Sequence, residues 1–352
     1  MTDDGPRLGR LVLRPYRVPL ARAWKSARGR TLERRGWLVG VEDADGARGI
    51  GECAPLEGAG TEPPAAALAA LQAAMASMPG LVPSAALERL PPVACPAARC
   101  GVETALLDLA ARRAGLPLHR WLTQGGGGGS VAVNGFAGAV DEGLPARLAR
   151  AVAAGFVVVK LKLAIRPPDE ELPGLLAAAR SLPRGTVLRL DVNRGWRLAQ
   201  TEALLPRLRV LPVEALEEPA GDADGDGLAR LQAAVPYPIA LDESLGDWPA
   251  DAPLPVRRQV LKPMVVGGPS ALLRLARRPA TQSVVTSSVD TATGLWLAAH
   301  LAAALDNGLA HGLDTGHWLS DLLGPPLPIA AGRLTLPDVP GLGVGPDEAF
   351  EK

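Results

Sequence analysis

Lysine is nearly missing from this chain. Only five of its 37 basic residues are Lys (Lys25, Lys160, Lys162, Lys262 and Lys352), and arginine supplies the rest. Burial can strip the proton from an ammonium, whereas a guanidinium stays charged. A sequence that writes its surface cations as Arg and keeps Lys inside apolar runs is therefore keeping a titratable amine. Three of the five sit in such runs, Val-Val-Val-Lys160-Leu-Lys162-Leu and Val-Leu-Lys262-Pro.

Other scarcities narrow the field. Three cysteines, with Cys95 and Cys100 not closely paired, exclude a disulfide framework and a thiolate zinc site. Aromatics make up 3 % of the chain, so the core is built from small aliphatic side chains. No apolar run reaches the roughly 18–20 residues of a membrane span, and the polar start is not that of a secretory signal; the expected location is the cytoplasm. Basic and acidic residues balance at 37 each, which leaves no electrostatic footprint for nucleic acid or a membrane surface. Neither a G-x-G-x-x-G turn nor a phosphate-binding G-x-x-x-x-G-K-[ST] loop is present. What remains is chemistry on a small molecule, with the oligomeric state left open.

The chain begins with apolar–polar alternation at 11–18 and 36–42. A turn at Asp43–Gly46 and a third run at 49–53 complete the pattern of an antiparallel meander. Ala-rich helical stretches follow at about 65–78 and 97–114. The unbroken glycines Gly125 to Gly129 read as a linker. Beyond them, strands are expected at 131–136, 157–163, 187–191, 213–217, 239–242, 259–262, 283–286 and 309–313, alternating with helices. That repeat argues for an α/β fold with a parallel barrel.

Between the lysines stand three acids, each closing an apolar run: Asp191, Glu217 and Asp242, spaced 26 and 25 residues apart. The interval is about one strand–helix repeat, and in a β/α barrel the carboxyl ends of all strands open on one face. Three carboxylates without His or Cys suit a hard octahedral cation, Mg²⁺ with Mn²⁺ as a substitute, and disfavour zinc. Lysines flanking such an ion suit removal of a proton next to a carboxylate. The ion neutralises the dianion that develops while a neutral amine takes the proton, so a small-molecule carboxylate is the expected substrate.

These residues resemble the enolase superfamily, its muconate-lactonizing-enzyme-like subgroup and, within that, the o-succinylbenzoate synthase family. Gly-Ile-Gly-Glu-Cys-Ala-Pro-Leu56 and Gly101-Val-Glu-Thr-Ala-Leu-Leu-Asp-Leu109 look like its cap. Lys160-Leu-Lys162, Leu-Arg189-Leu-Asp191-Val-Asn193, Glu217-Glu-Pro219, Leu-Asp242-Glu-Ser244 and Leu-Lys262-Pro263 look like its barrel motifs. The resemblance implies an α+β capping domain at 1–127, a modified (β/α)8, or (β/α)7β, barrel at 128–315, and a segment at 316–352 returning to the cap. It implies Mg²⁺ on Asp191, Glu217 and Asp242, Lys162 as base and then acid in a syn dehydration, Lys160 tuning it, and Lys262 stabilising the intermediate from the opposite face. Thr286, Ser287, Ser288 and Gly312 look like the family's substrate-binding segments, with Arg189 and Asn193 as further contacts. The chain departs from the family's pattern at Thr286, where Ser is common, and at Asp290, where Glu is more usual. In racemases and epimerases of the subgroup, two opposed lysines exchange protons with either face of the substrate, so the same set serves that chemistry too.

Blander readings stand beside these. A lone Asp after an apolar run is usually a cap or turn residue, and a lone strand-end Lys is usually solvated; their joint order is what argues otherwise. Glu218 reads as a salt-bridging acid and His300 as a structural helix residue. The segment from Trp24 to Arg30 reads equally as a mobile loop over the mouth or a surface hairpin.

Overall fold

The computed structural model describes residues 5–26 and 29–350, leaving aside the side chains of residues 22–30 and 348. The side chains of Trp24 and Lys25, the residue Lys352, and with them any closing of Trp24 on a substrate, lie outside the described residues, while the backbone of Trp24 to Ser26 pairs with Gly29 to Thr31 as a hairpin.

The meander is longer than its alternation marks. β1 (Leu8–Ser26) pairs antiparallel with β2 (Gly29–Asp43), and β2 with β3 (Arg48–Cys53). Asp43 Oδ1 accepts from the backbone N–H of Asp45 and Ala47 at 3.0 and 2.9 Å, closing the β2–β3 turn. The helices that follow are α1 (Pro64–Ser77), α2 (Pro83–Leu87), α3 (Pro96–Arg113) and α4 (Leu118–Leu122). Pro96 opens α3, and the carboxylate of Glu62 accepts from Ala97 N and Ala98 N at 3.0 and 2.8 Å. α3 lies directly on β3 because both surfaces are bare: a Cβ on Gly51 would overlap the carbonyl of Gly101, and one on Gly49 that of Ala105.

Seven parallel strands form the second sheet in sequence order: β5 (Gly135–Ala139), β6 (Val158–Lys162), β7 (Val187–Asp191), β8 (Val213–Glu217), β9 (Ile239–Leu241), β10 (Arg258–Leu261) and β11 (Gln282–Val285). The helices alternating with them are α5 (Leu144–Ala153), α6 (Pro168–Arg180), α7 (Leu198–Leu208), α8 (Gly225–Ala234), α9 (Pro263–Val266), α10 (Pro269–Leu275) and α11 (Ala292–Leu305). With the antiparallel cap this is the modified barrel of the expected class.

Two strands differ from expectation. The run 131–136 divides: β4 (Ser130–Ala132) leaves the barrel, and only its continuation from Gly135 enters it. Near the end of the chain, β12 (Ile329–Ala330) pairs with β13 (Arg333–Thr335), and β13 pairs antiparallel with β4. The run 309–313 is reduced to single bridges, Val133 with His311 and Thr286 with Gly312. These bridges still close the ring between β11 and the first barrel strand. The glycine run forms no element but is tied down, Gly128 N donating to Ala303 O at 3.2 Å.

The last segment lies against the cap. Leu118 N donates to Gly341 O at 2.8 Å, Leu342 N to Asp108 Oδ1 at 2.6 Å, and the guanidinium groups of Arg10 and Arg48 sit over the Phe350 ring. Cys53 and Cys100 are buried, Cys95 is half-buried, and all three are free thiols. Among the described residues no helix is long and apolar enough to cross a membrane.

The floor of the barrel is charged. Arg189 Nε donates to Glu214 Oε2 at 3.0 Å, and Arg258 binds the other oxygen of Glu214. Beside them His311 Nδ1 accepts from Val285 N at 2.9 Å. Burial, then Arg189 and Arg258, push the His311 pKa down to about 3.

A methyl group on Gly51 must push α3 off β3, so Gly51→Ala is expected to destabilise the protein by about 1–3 kcal/mol, read as a lower thermal midpoint. The native state keeps His311 neutral, while the unfolded chain takes up its proton near the ordinary value of 6.5. Its contribution is therefore complete above that pH and is lost as pH falls toward 3. His311→Asn keeps an acceptor for Val285 N and cannot titrate. Its urea midpoint is expected to fall less steeply over that window than the wild type's.

Candidate active site

Parallel register assembles the site. Lys162 lies level with Asp191, and Asp191 with Glu217; Asp242 immediately follows β9, and Lys262 immediately follows β10. Five neighbouring strand ends thus bring the six predicted residues to one mouth. Lys160 Nζ lies 2.8 Å from Asp191 Oδ2 and 2.7 Å from Glu217 Oε1. Lys162 Nζ donates to Asp191 Oδ2 at 2.5 Å and to Asn193 Oδ1 at 2.6 Å. Lys262 Nζ donates to both oxygens of Asp242 at 2.6 Å.

Burial does act to lower the pKa of Lys160 and Lys262, as expected, but the carboxylates outweigh it. Asp191 and Glu217 hold Lys160, and Asp242 and Glu243 hold Lys262, above the ordinary range. In this arrangement both are ammonium ions; a cation held by the same carboxylates would oppose that rise. The acids respond unequally. Burial works to raise Asp191, but Lys160 and Lys162 bring it well below the usual carboxylate range. Glu217 is pushed up by burial and by Asp191, in spite of Lys160, with Asp242 adding to the rise.

Among the described residues no three acidic, imidazole or thiol groups enclose a cation as they stand; each carboxylate holds an ammonium instead. The donor set nevertheless fits a hard divalent ion. It offers only carboxylate oxygens, and Lys160 Nζ occupies a cation's place between Asp191 and Glu217.

The supporting residues sort clearly. Asn193, in the left-handed region at φ +46°, accepts from Lys162 and donates to Glu243 Oε1 at 2.6 Å, so it orients the amine. Glu218 Oε1 accepts from Asp242 N, Ser244 N and Ser244 Oγ at 2.6, 2.8 and 2.7 Å, fixing the loop that carries Asp242. Burial raises its pKa to about 7. Thr286 Oγ1 donates to Gly312 O at 2.8 Å, and Ser287 Oγ lies 2.6 Å from Thr315 Oγ1. Ser288 Oγ is buried without a hydrogen-bond partner among the described residues.

Arg189 stands in the floor rather than at the mouth. It shares the inward face of β7 with Asp191 but lies two residues deeper, buried, with Glu214, Asn134 Oδ1 and Ala310 O taking its donors. Glu243 was missed in the sequence, although its place after Asp242 could have drawn notice. Tyr16, Arg34 and Glu52 were missed as a group; they stand on cap strands against the 289–294 segment, and only Glu52 falls within one of the cap motifs.

Comparison with known proteins agrees with this architecture. The Enolase C-terminal domain-like family matches residues 144–350, and the Mandelate racemase / muconate lactonizing enzyme, N-terminal domain family matches residues 11–122. The chain belongs to the enolase superfamily, in its muconate-lactonizing-enzyme-like group. It is 37 % identical over 171 residues to o-succinylbenzoate synthase of Thermobifida fusca, a match covering 46 % of this chain and 52 % of that protein. It is 25 % identical over 262 residues to L-Ala-D/L-Glu epimerase of Bacillus subtilis, covering 70 % of each. The match to the synthase thus spans about half that relative's length. Muconate lactonizing enzyme from Pseudomonas fluorescens superposes with a TM-score of 0.82 at 23 % identity, covering 97 % of this chain and 96 % of that one, which is likeness of fold.

Glu218→Ala is expected to loosen Asp242 and weaken Mg²⁺ binding by about 10–100-fold in calorimetric titration. Glu218→Gln, which keeps an acceptor for both backbone N–H groups, is expected to stay within about threefold of wild type.

Proposed function

We propose that this protein is a Mg²⁺-dependent carbon–oxygen lyase, an o-succinylbenzoate synthase. It removes water from 2-succinyl-6-hydroxy-2,4-cyclohexadiene-1-carboxylate, a step of menaquinone synthesis in the cytoplasm. The observation that carries the reading is the disposition of the amines. Lys162 ends β6 and Lys262 follows β10, four positions apart in a ring of eight, so they face each other across the mouth with the three acids between. The partial match to o-succinylbenzoate synthase supports the choice of reaction.

Asp191, Glu217 and Asp242 would hold Mg²⁺, whose charge offsets the negative charge growing on the substrate carboxylate as the α-proton leaves. Lys162, as free amine, takes that proton from carbon, and Asn193 keeps its nitrogen aimed. The ammonium so formed returns the proton to the departing hydroxide on the same face, so the C–H and C–O bonds break and water leaves. Lys262 stays charged on the opposite face and stabilises the anion between the two steps. Aromatisation drives the product side, so the enzyme need only make the proton removable.

The epimerase reading has one observation in its favour: opposed amines can each serve one face of a substrate carbon, and the match to the B. subtilis epimerase covers more of the chain. The deciding assay offers the purified protein the cyclohexadiene carboxylate, N-succinyl amino acids and dipeptides, each with and without chelator. Dehydration abolished by chelator supports the synthase. Uptake of deuterium from heavy water without loss of hydroxide, and no dehydration, would overturn it in favour of the epimerase. In an active enzyme, Lys162→Ala is expected to lower kcat by about 10²–10⁴-fold, measured by formation of the aromatic product.

A further inference from the structure

We propose that Arg34 and Glu52 are positioning residues: reaching over from the capping sheet, they hold the turn after β11 in a strained form and thereby set the Thr286–Ser288 wall against the substrate. This rests on the dehydration reading above.

The strain is at Val289, a β-branched residue at φ +61°, where the left-handed region is unfavourable and persists only if the surroundings enforce it. What enforces it comes from the cap. Arg34, buried on β2, donates from Nε to Val289 O at 3.0 Å, while its other nitrogens bind Pro55 O and Ala54 O at 3.0 and 2.8 Å. Its guanidinium also stands 3.6 Å from Asp290 Oδ1. Glu52, buried on β3, accepts from Thr291 N at 3.1 Å and Gly294 N at 2.8 Å, capping the N-terminus of α11 from another layer of the molecule. Tyr16 holds the same carboxylate through its hydroxyl. Gly294 permits the approach, since a Cβ there would sit 2.7 Å from Glu52 Oε2 and 2.6 Å from Asp290 Cβ.

Docking of two layers needs buried apolar surface, not a strained backbone. Here the strain begins one residue past Ser288, whose buried hydroxyl has no hydrogen-bond partner among the described residues, and the clamp ends where α11 starts. The turn is gripped from both sides by groups of the cap.

Two variants test the clamp without touching the lysines or acids. Arg34→Lys keeps the charge but loses the three-way grip; Gly294→Ala wedges Glu52 from the helix. Both are expected to raise KM about tenfold with kcat within about threefold of wild type. Both are also expected to speed amide hydrogen exchange at 288–294, leaving β7 and β8 unchanged. Unchanged KM with only a lower thermal midpoint would overturn the proposal. If Arg34→Lys does not fold, Tyr16→Phe removes one bond to Glu52 and is expected to raise KM about threefold. A wild-type protein inactive on the cyclohexadiene carboxylate overturns the reaction instead, and exchange at 288–294 then decides the clamp by itself: faster exchange supports it, unchanged exchange overturns it.

Discussion

The mouth of this barrel depends on ammonium groups meeting carboxylates before either is buried. A single charge taken out of water costs several kcal/mol, and only a close, well-placed partner offsets that. Lys160, Lys162 and Lys262 find theirs on the adjoining strand ends, and the parallel register that levels Lys162 with Asp191 and Asp191 with Glu217 is what makes the pairs meet. A slip of one residue would turn each side chain to the opposite face of its strand, stranding charges among the helices. The same pairs that serve the site therefore also specify the register.

Directional bonds of a second kind join the layers. Glu103 on α3 accepts from Ser270 N at the start of α10, and Glu52 on β3 does the same for α11. Carboxylates at helix N-termini satisfy donors that the helix itself cannot, and the helix dipole favours their charge. An apolar interface alone tolerates sliding, whereas two such bonds at separate helices fix the cap's angle on the barrel. Burial raises the pKa of Glu103, and the Ser270 bonds oppose that rise.

Much of this could be read from the chain. The spacing of Asp191, Glu217 and Asp242, and the rarity of lysine, picked out residues that meet at one mouth because strand–helix repeats impose a period that survives in sequence. The depth of Arg189 was not legible because a strand's inward face holds both the mouth and the floor, and alternation alone does not separate them. The apolar runs around Lys160, Lys162 and Lys262 do not announce which carboxylate each amine meets. Single bridges in place of an eighth strand leave no alternating pattern to detect. Nothing local announces Arg34, and the motif around Glu52 does not announce its role, because their partners lie 255 and 242 residues further along.

The late residues of the chain bear on how the molecule comes to be made. The cap's strands and α3 are synthesised before the barrel, yet Asp108 waits for Leu342 N, and the face of β2 near Gly40 waits for the ring of Phe350. During translation the nascent cap carries an exposed seam while the whole barrel is being threaded out. The cap therefore closes only after the barrel has been made, and a ribosome stalled before Leu342 leaves that layer unsealed.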